Sequence, residues 1–255
     1  SWVDGDMAAI HDHGYTQWGA VQLFGRAEHA IFKQMNGVLV TAERRVFEPG
    51  DVVAVGHDLI HQMGNAGEEP YLSMHLYGCY GRHGDVTADA RLYELDQGDI
   101  QITNGGVFLA LPESAISRRE DGPRADFPTT LRYRVELLKR LLRMHDSRAA
   151  GSFRSDRERR LAGELFAPRT WEAARRELTD KRVGDLPHHQ RYAEVFGQEV
   201  AAAARLQLDL MAAGRVESEL ADERGRLEDL LAENDRTAFV DGYLELVDEA
   251  FTVAV

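Results

Sequence analysis

The chain has 255 residues, 44% of them hydrophobic, with 43 acidic against 30 basic side chains and a net charge of −13. That length holds one large domain or two small ones. Residues 1–113 carry 16 acidic but only 6 basic groups, which argues against the basic face that a nucleic acid partner needs. The single cysteine, Cys79, excludes a disulfide within the chain and suits a reducing, cytoplasmic setting. No apolar run approaches membrane-spanning length, and the N-terminus lacks the charged-then-apolar layout of a signal peptide.

In chain order, the first chemical feature is His11-Asp12-His13. Two imidazoles one residue apart share a face of extended chain, because strand side chains alternate with period two. Short alternating or apolar runs then predict strands at Gly19–Leu23, His29–Gln34, Leu39–Phe47, Asp51–Val55, Tyr71–Tyr77, Ala90–Leu95 and Asp99–Thr103. A further strand begins at His61. Asn36-Gly37 is a hairpin signal. Pro49-Gly50-Asp51, Gly67 to Pro70, and Gln97-Gly98 mark turns. Gly105 to Pro112 is expected to close a barrel. Many short strands at even spacing predict a double-sheet jelly roll.

The pattern changes near residue 113, which divides a β domain (1–113) from a helical extension (114–255). Ser114–Pro128 is charged, contains Gly122-Pro123, and reads as a linker. Leu131, Val135, Leu138 and Leu142 give Thr130–Met144 a helical stripe. Ala149–Phe153 reads as a loop. Asp156–Leu165, Trp171–Leu178, Tyr192–Ala213, Val216–Leu231 and Phe239–Phe251 read as further helices. They are expected to pack on one another and on the barrel, or to pair subunits in a homo-oligomer. Their mixed arginines and glutamates read as solvated helix faces.

Three motifs carry the chemistry. His11, His13 and His61 form one candidate metal site, since imidazole suits iron, nickel, copper or zinc and a three-nitrogen set leaves positions open. The run from Gly50 to Asn65 places His61 after a Pro-Gly-Asp turn and a short valine-rich strand. Ser73-Met74-His75-Leu76-Tyr77 places Ser73, His75 and Tyr77 on one strand face. There Ser73 would orient His75, and His75 the Tyr77 hydroxyl. His57 reads as an exposed turn residue, His29 and His83 as surface or loop residues, and His188-His189 as part of a linker.

These motifs resemble the cupin superfamily. The second cupin motif, G-x5-P-x-G-x2-H-x3-N, is matched by Gly50, His61 and Asn65, with Gly56 and Asp58 in place of the proline and second glycine. The first, H-x-H-x3,4-E-x6-G, is matched by His11, His13 and Gly25. Gln17 and Trp18 stand where the glutamate ligand falls, so three histidines remain. Together with Ser73-x-His75-x-Tyr77, this resembles the thiol dioxygenase branch, the cysteine and 3-mercaptopropionate dioxygenases, over roughly residues 8 to 112. The resemblance implies a mainly β cupin barrel holding Fe(II) on His11, His13 and His61. Tyr77, His75 and Ser73 would act beside it, and a small thiol and O2 would be the substrates.

Two departures bear on detail. Some cysteine dioxygenases cross-link the tyrosine to a cysteine five residues after the second histidine; Trp18 stands there, so no cross-link to Tyr77 is expected, and Trp18 could narrow the site or stack on a flat substrate. The family's carboxylate-binding arginine comes either from before the first histidine pair, where only ten residues stand here, or from just after the tyrosine. Arg26, Arg82 and Arg91 are candidates, none at a matching spacing. Two other classes stay open: another metallocupin enzyme acting on a carbon substrate with Mn or Ni, and a non-catalytic cupin that binds a small ligand.

Overall fold

The computed structural model describes residues 1–3, 6–81, 85–109, 111–145 and 156–165, with isolated positions between 167 and 229. Ten strands come first: β1 (Trp18–Leu23), β2 (Ala27–Met35), β3 (Val38–Phe47), β4 (Val52–Gly56), β5 (Ile60–Asn65), β6 (Ser73–Gly78), β7 (Ala90–Glu94), β8 (Asp99–Thr103), β9 (Ile116–Asp121) and β10 (Arg124–Ala125). Helices α1 (Phe127–His145) and α2 (Asp156–Leu165) follow. The backbone divides into two compact units, Ser1–Thr130 and Leu131–Val255.

In the first unit, strands order as β4-β1-β6, as β10-β3-β2-β5 and as β7-β8-β9. All named pairings are antiparallel except β10 with β3. The N-terminal segment joins the last two groups, because His11 bridges both His61 on β5 and Leu92 on β7. Its backbone bonds alternate sides: His11 and His61 exchange N–H···O bonds of 2.9 Å, while Asp12 donates to Arg91 and Tyr93 donates to Ile10. A period-two chain thus stitches one curled sheet together. Val21, Leu23, Val53 and Val55 from the β4-β1-β6 sheet pack with Ala27, Met63 and Tyr71 in one buried cluster. The unit is mainly β.

Local chemistry explains most boundaries. Asn36 and Gly37 both take positive φ (52° and 79°), the requirement of a two-residue hairpin turn between β2 and β3. Residues 114–128, expected as a linker, hold β9, β10 and the start of α1 instead. Charged Ser117 to Glu120 suits an exposed strand, and β9 pairs with β8 along one edge. Periodicity could not show this, since the residues that bury an edge strand's backbone lie elsewhere in the chain. The compact β unit accordingly runs to Thr130, beyond the expected boundary at 113. Helix α1 begins three residues before the expected start at Thr130. The Asp126 carboxylate accepts from the Thr129 N–H at 3.0 Å, a side-chain N-cap, and Pro128 sits in the first turn, where its missing N–H costs nothing.

In the second unit, Leu131, Tyr133, Val135, Leu137, Leu138, Leu161 and Leu165 are buried. Arg132 pairs with Glu136 at 3.1 Å, and Arg134 with Glu164 at 3.2 Å. Described positions between 198 and 206 are helical. The other expected elements at Trp171–Leu178, Val216–Leu231 and Phe239–Phe251 fall outside the described residues, apart from helical Asp229, as do the Ala149–Phe153 loop, His188-His189 and, in the first unit, Arg82 and His83. No described helix is long and apolar enough to cross a membrane.

Candidate metal centre

His11, His13 and His61 are all buried, and one ring nitrogen from each lies within 4.8 Å of the others. The Nε2 of His61 is 3.2 Å from Nε2 of His11 and 3.1 Å from Nε2 of His13. His61 comes from β5; His11 and His13 come from the segment wedged between β5 and β7. Asp12, between them, is the clamp. Its Oδ1 accepts the Gly14 N–H at 3.2 Å and the Arg91 N–H at 2.9 Å, and its Oδ2 lies 3.4 Å from Arg91 Nε. The chain then turns at Gly14, where φ is +54° and a Cβ would sit 1.9 Å from the Ala88 carbonyl oxygen. No side chain fits there.

Burial sets the protonation states. Desolvation lowers His11 to about 4 and His13 to about 3, and holds His61 well below the ordinary value, with neighbouring imidazoles adding to the effect. All three rings are neutral at neutral pH. The Nδ1–H of His11 donates to the Ala9 carbonyl at 2.8 Å, which leaves its Nε2 as a lone pair. His61 Nδ1 meets His29 Nε2 at 2.7 Å. With His61 donating there, its Nε2 is also a lone pair.

With these tautomers the His11–His61 contact sets lone pair against lone pair, and a proton on His13 Nε2 can serve only the His13–His61 contact. A cation resolves both. Nitrogens held about 2.1 Å from one ion at right-angled to tetrahedral openings lie about 3.0–3.4 Å apart, a range that contains both observed separations. The residues fit a metal ion, and three neutral nitrogens suit iron, copper, nickel or zinc.

His29 corrects the sequence reading. It is not a surface residue: it is 2% exposed on β2 and stands directly behind His61. Burial lowers it to about 4, so it is neutral and can accept the His61 proton. Alternation puts Ala27, His29 and Ile31 on one face of β2, which marks His29 as inward. Its meeting with His61 depends on the β2–β5 register, which no local pattern encodes. A partner of this kind orients a ligand ring. His29→Ala is expected to weaken metal affinity by roughly 10–100-fold, while His29→Gln, which keeps an acceptor, recovers most of it. Competitive titration of Zn(II) against a chromophoric chelator checks this.

Ser73, His75 and Tyr77 share the inner face of β6. Ser73 Oγ lies 2.7 Å from His75 Nε2, and His75 Nδ1 lies 2.8 Å from the Tyr77 hydroxyl. The Tyr77 ring centroid is 5.3 Å from that of His13. Burial raises the Tyr77 phenol to about 12 and lowers His75. Gly19, opposite Tyr77 on β1, makes room for the ring: a Cβ there would come within 2.7 Å of it.

Trp18 is not placed to narrow the site. It occupies the opposite face of β1 from Val21 and Leu23, is 44% exposed, and lies over Gly78. Cys79 follows the end of β6, and its thiol donates to the Gly81 carbonyl. Arg26 is ion-paired with Glu48, and Arg91 with Asp12. His57 is exposed.

The lowered histidines also set a pH dependence. Each binds its proton more weakly when folded than at the unfolded value of 6.5, so the unfolded chain carries more protons below that pH. Stability is complete above pH 6.5 and is lost as pH falls through 6.5 toward 4. His11 alone accounts for about 3 kcal/mol once the pH is below 4. The urea midpoint of metal-stripped protein is expected to fall steeply between pH 7 and 5. A flat profile would contradict buried neutral rings.

No protein-family model matches the chain, and no curated protein matches it. Among solved structures it shows similarity to the SENS161-164DSSN mutant of Bacillus subtilis oxalate decarboxylase OxdC, at 22% identity over 32% of this chain and 20% of that one, with a TM-score of 0.26. The chain spans about a fifth of that protein's length, and so partial an overlap identifies neither fold nor function.

Proposed function

We propose that this chain is a cupin-type, Fe(II)-dependent thiol dioxygenase that converts a small thiol and O2 to a sulfinic acid. One juxtaposition carries the reading: three buried Nε2 atoms converge beside a phenol held by His75 and Ser73. The motif resemblance supplies the reaction class. The overall change is R–SH + O2 → R–SO2H: sulfur gives up four electrons, and dioxygen takes them as both oxygen atoms bond to sulfur.

His11, His13 and His61 would hold the iron. When bound, Fe(II) supplies a Lewis-acidic redox centre at which a thiol and dioxygen are brought together. The three imidazoles add no negative charge, so the cluster favours an anionic ligand such as a thiolate. Tyr77, with its phenol raised to about 12, keeps its proton throughout the working pH range and acts as a hydrogen-bond donor toward substrate. His75, hydrogen-bonded to the Tyr77 hydroxyl, fixes its direction, and Ser73 fixes His75.

The test is an oxygen-electrode trace of iron-loaded protein with cysteine, cysteamine, 3-mercaptopropionate and ergothioneine. One O2 consumed per thiol, with sulfinate as product, is the expected result for at least one of them. Iron bound at one equivalent with silence across the panel would favour a carbon-substrate enzyme. A chain that takes up no metal would favour a non-catalytic ligand-binding protein.

A further inference from the structure

The sheet that carries Ser73, His75 and Tyr77 has a second face, and that face is bare of charge. Period two turns alternate residues of β1, β4 and β6 away from the buried cluster of Val21, Val53 and Val55. The register aligns them across the strands as Val52–Gln22–Met74 and Ala54–Ala20–Leu76. Trp18 lies over Gly78 at one end. At the other, Phe24 donates its N–H to the Leu72 carbonyl at 3.1 Å and continues the face. None of these positions is charged, in a chain that is 29% charged. The single amide among them, on Gln22, is spent on its own turn, where it donates to the Gly50 carbonyl at 3.0 Å.

Area and charge say what covers this face. Trp18, Phe24, Val52, Leu72, Met74 and Leu76 are each 44–62% exposed. At roughly 150–250 Å² for a large side chain, that leaves about 700 Å² of apolar surface. A lone monomer ordinarily shows no patch beyond roughly 300–600 Å². Two such faces together bury about 1,400 Å², within the roughly 1,200–2,000 Å² of a stable protein–protein interface. The chain carries a net charge of −13, so two copies repel wherever they present their acids to each other. This face presents none. A second copy meets it without like-charge contact, and a two-fold axis lets one self-complementary patch serve both partners. A strongly basic or acidic partner would gain no ion pair there.

We propose that the outer face of the β4-β1-β6 sheet is a dimer interface, on which a second copy of this chain packs sheet against sheet about a two-fold axis. Interface and candidate site then occupy opposite faces of β6. The dimer covers Met74 and Leu76 and leaves Ser73, His75 and Tyr77 on the side of the histidine cluster. The association does not rest on the reaction proposed above.

Sedimentation equilibrium of the full chain at micromolar concentrations tests this. The expected mass is twice 28.6 kDa. Leu76→Glu removes two apolar contacts per dimer and sets two like charges in the interface. Its dissociation constant is expected to rise about 100-fold or more, with the circular dichroism of the fold unchanged. Val52→Glu, on the opposite strand of the face, should do the same, and it serves where Leu76→Glu does not fold. Added salt should tighten the dimer of the starting protein, because it screens the net charge of the two copies and no ion pair holds them. A starting protein that stays monomeric overturns the proposal, since the face then belongs to another segment of the same chain or to a different partner. A dimer that the folded glutamate variants leave intact, or one that salt dissociates, also overturns it, because the contact then lies elsewhere on the chain.

Discussion

His61→Ala is expected to lose its metal. His61 is the ring common to both close nitrogen contacts, at 3.2 Å to His11 and 3.1 Å to His13. It is also the ring that His29 supports from behind. Its removal leaves two donors and an open side. Affinity should fall by more than the roughly 10–100-fold that loss of an outer partner costs. After dialysis against limiting iron, elemental analysis should find far less than one equivalent per chain, against one for the starting protein. The alanine also opens a void beside His29, so circular dichroism and a His61→Gln variant separate metal loss from unfolding. Stoichiometric iron in both variants would show that these three histidines do not form the metal centre.

Tyr77→Phe is expected to keep its iron and lose about two orders of magnitude in kcat, the usual scale for a positioned proton donor. The phenylalanine fills the same space beside Gly19 and His13, so the deletion removes one hydroxyl and little packing. The raised phenol, about 12, means the starting enzyme should show no loss of activity from Tyr77 ionisation between about pH 6 and 9. Full activity of the phenylalanine variant would remove Tyr77 from the chemistry. A loss of iron instead would mean that the hydroxyl supports the cluster rather than the substrate.

Much of this was written locally. The H-x-H spacing, the turn before His61 and the alternation of Ser73, His75 and Tyr77 are short-range patterns, and period two alone places each set on one face. Strands β3, β4, β7 and β8 lie within a residue or so of their expected bounds for the same reason. The edge strand β9 was not legible, since its exposed charged residues read as loop without the neighbouring β8. The start of α1 escaped the apolar stripe because a cap, Asp126, and not apolar periodicity, fixes it.

By itself the sequence determined that three imidazoles would be available and that a serine, a histidine and a tyrosine would line one strand. Only the tertiary structure decided what stands behind them. His29 reaches His61 through the β2–β5 register, Asp12 locks the histidine pair to β7, and Trp2 reaches Ser73 from the far end of the unit. These partners depend on pairings between distant segments, whose geometry arises when the sheets close on a shared core and is absent from any window of neighbouring residues.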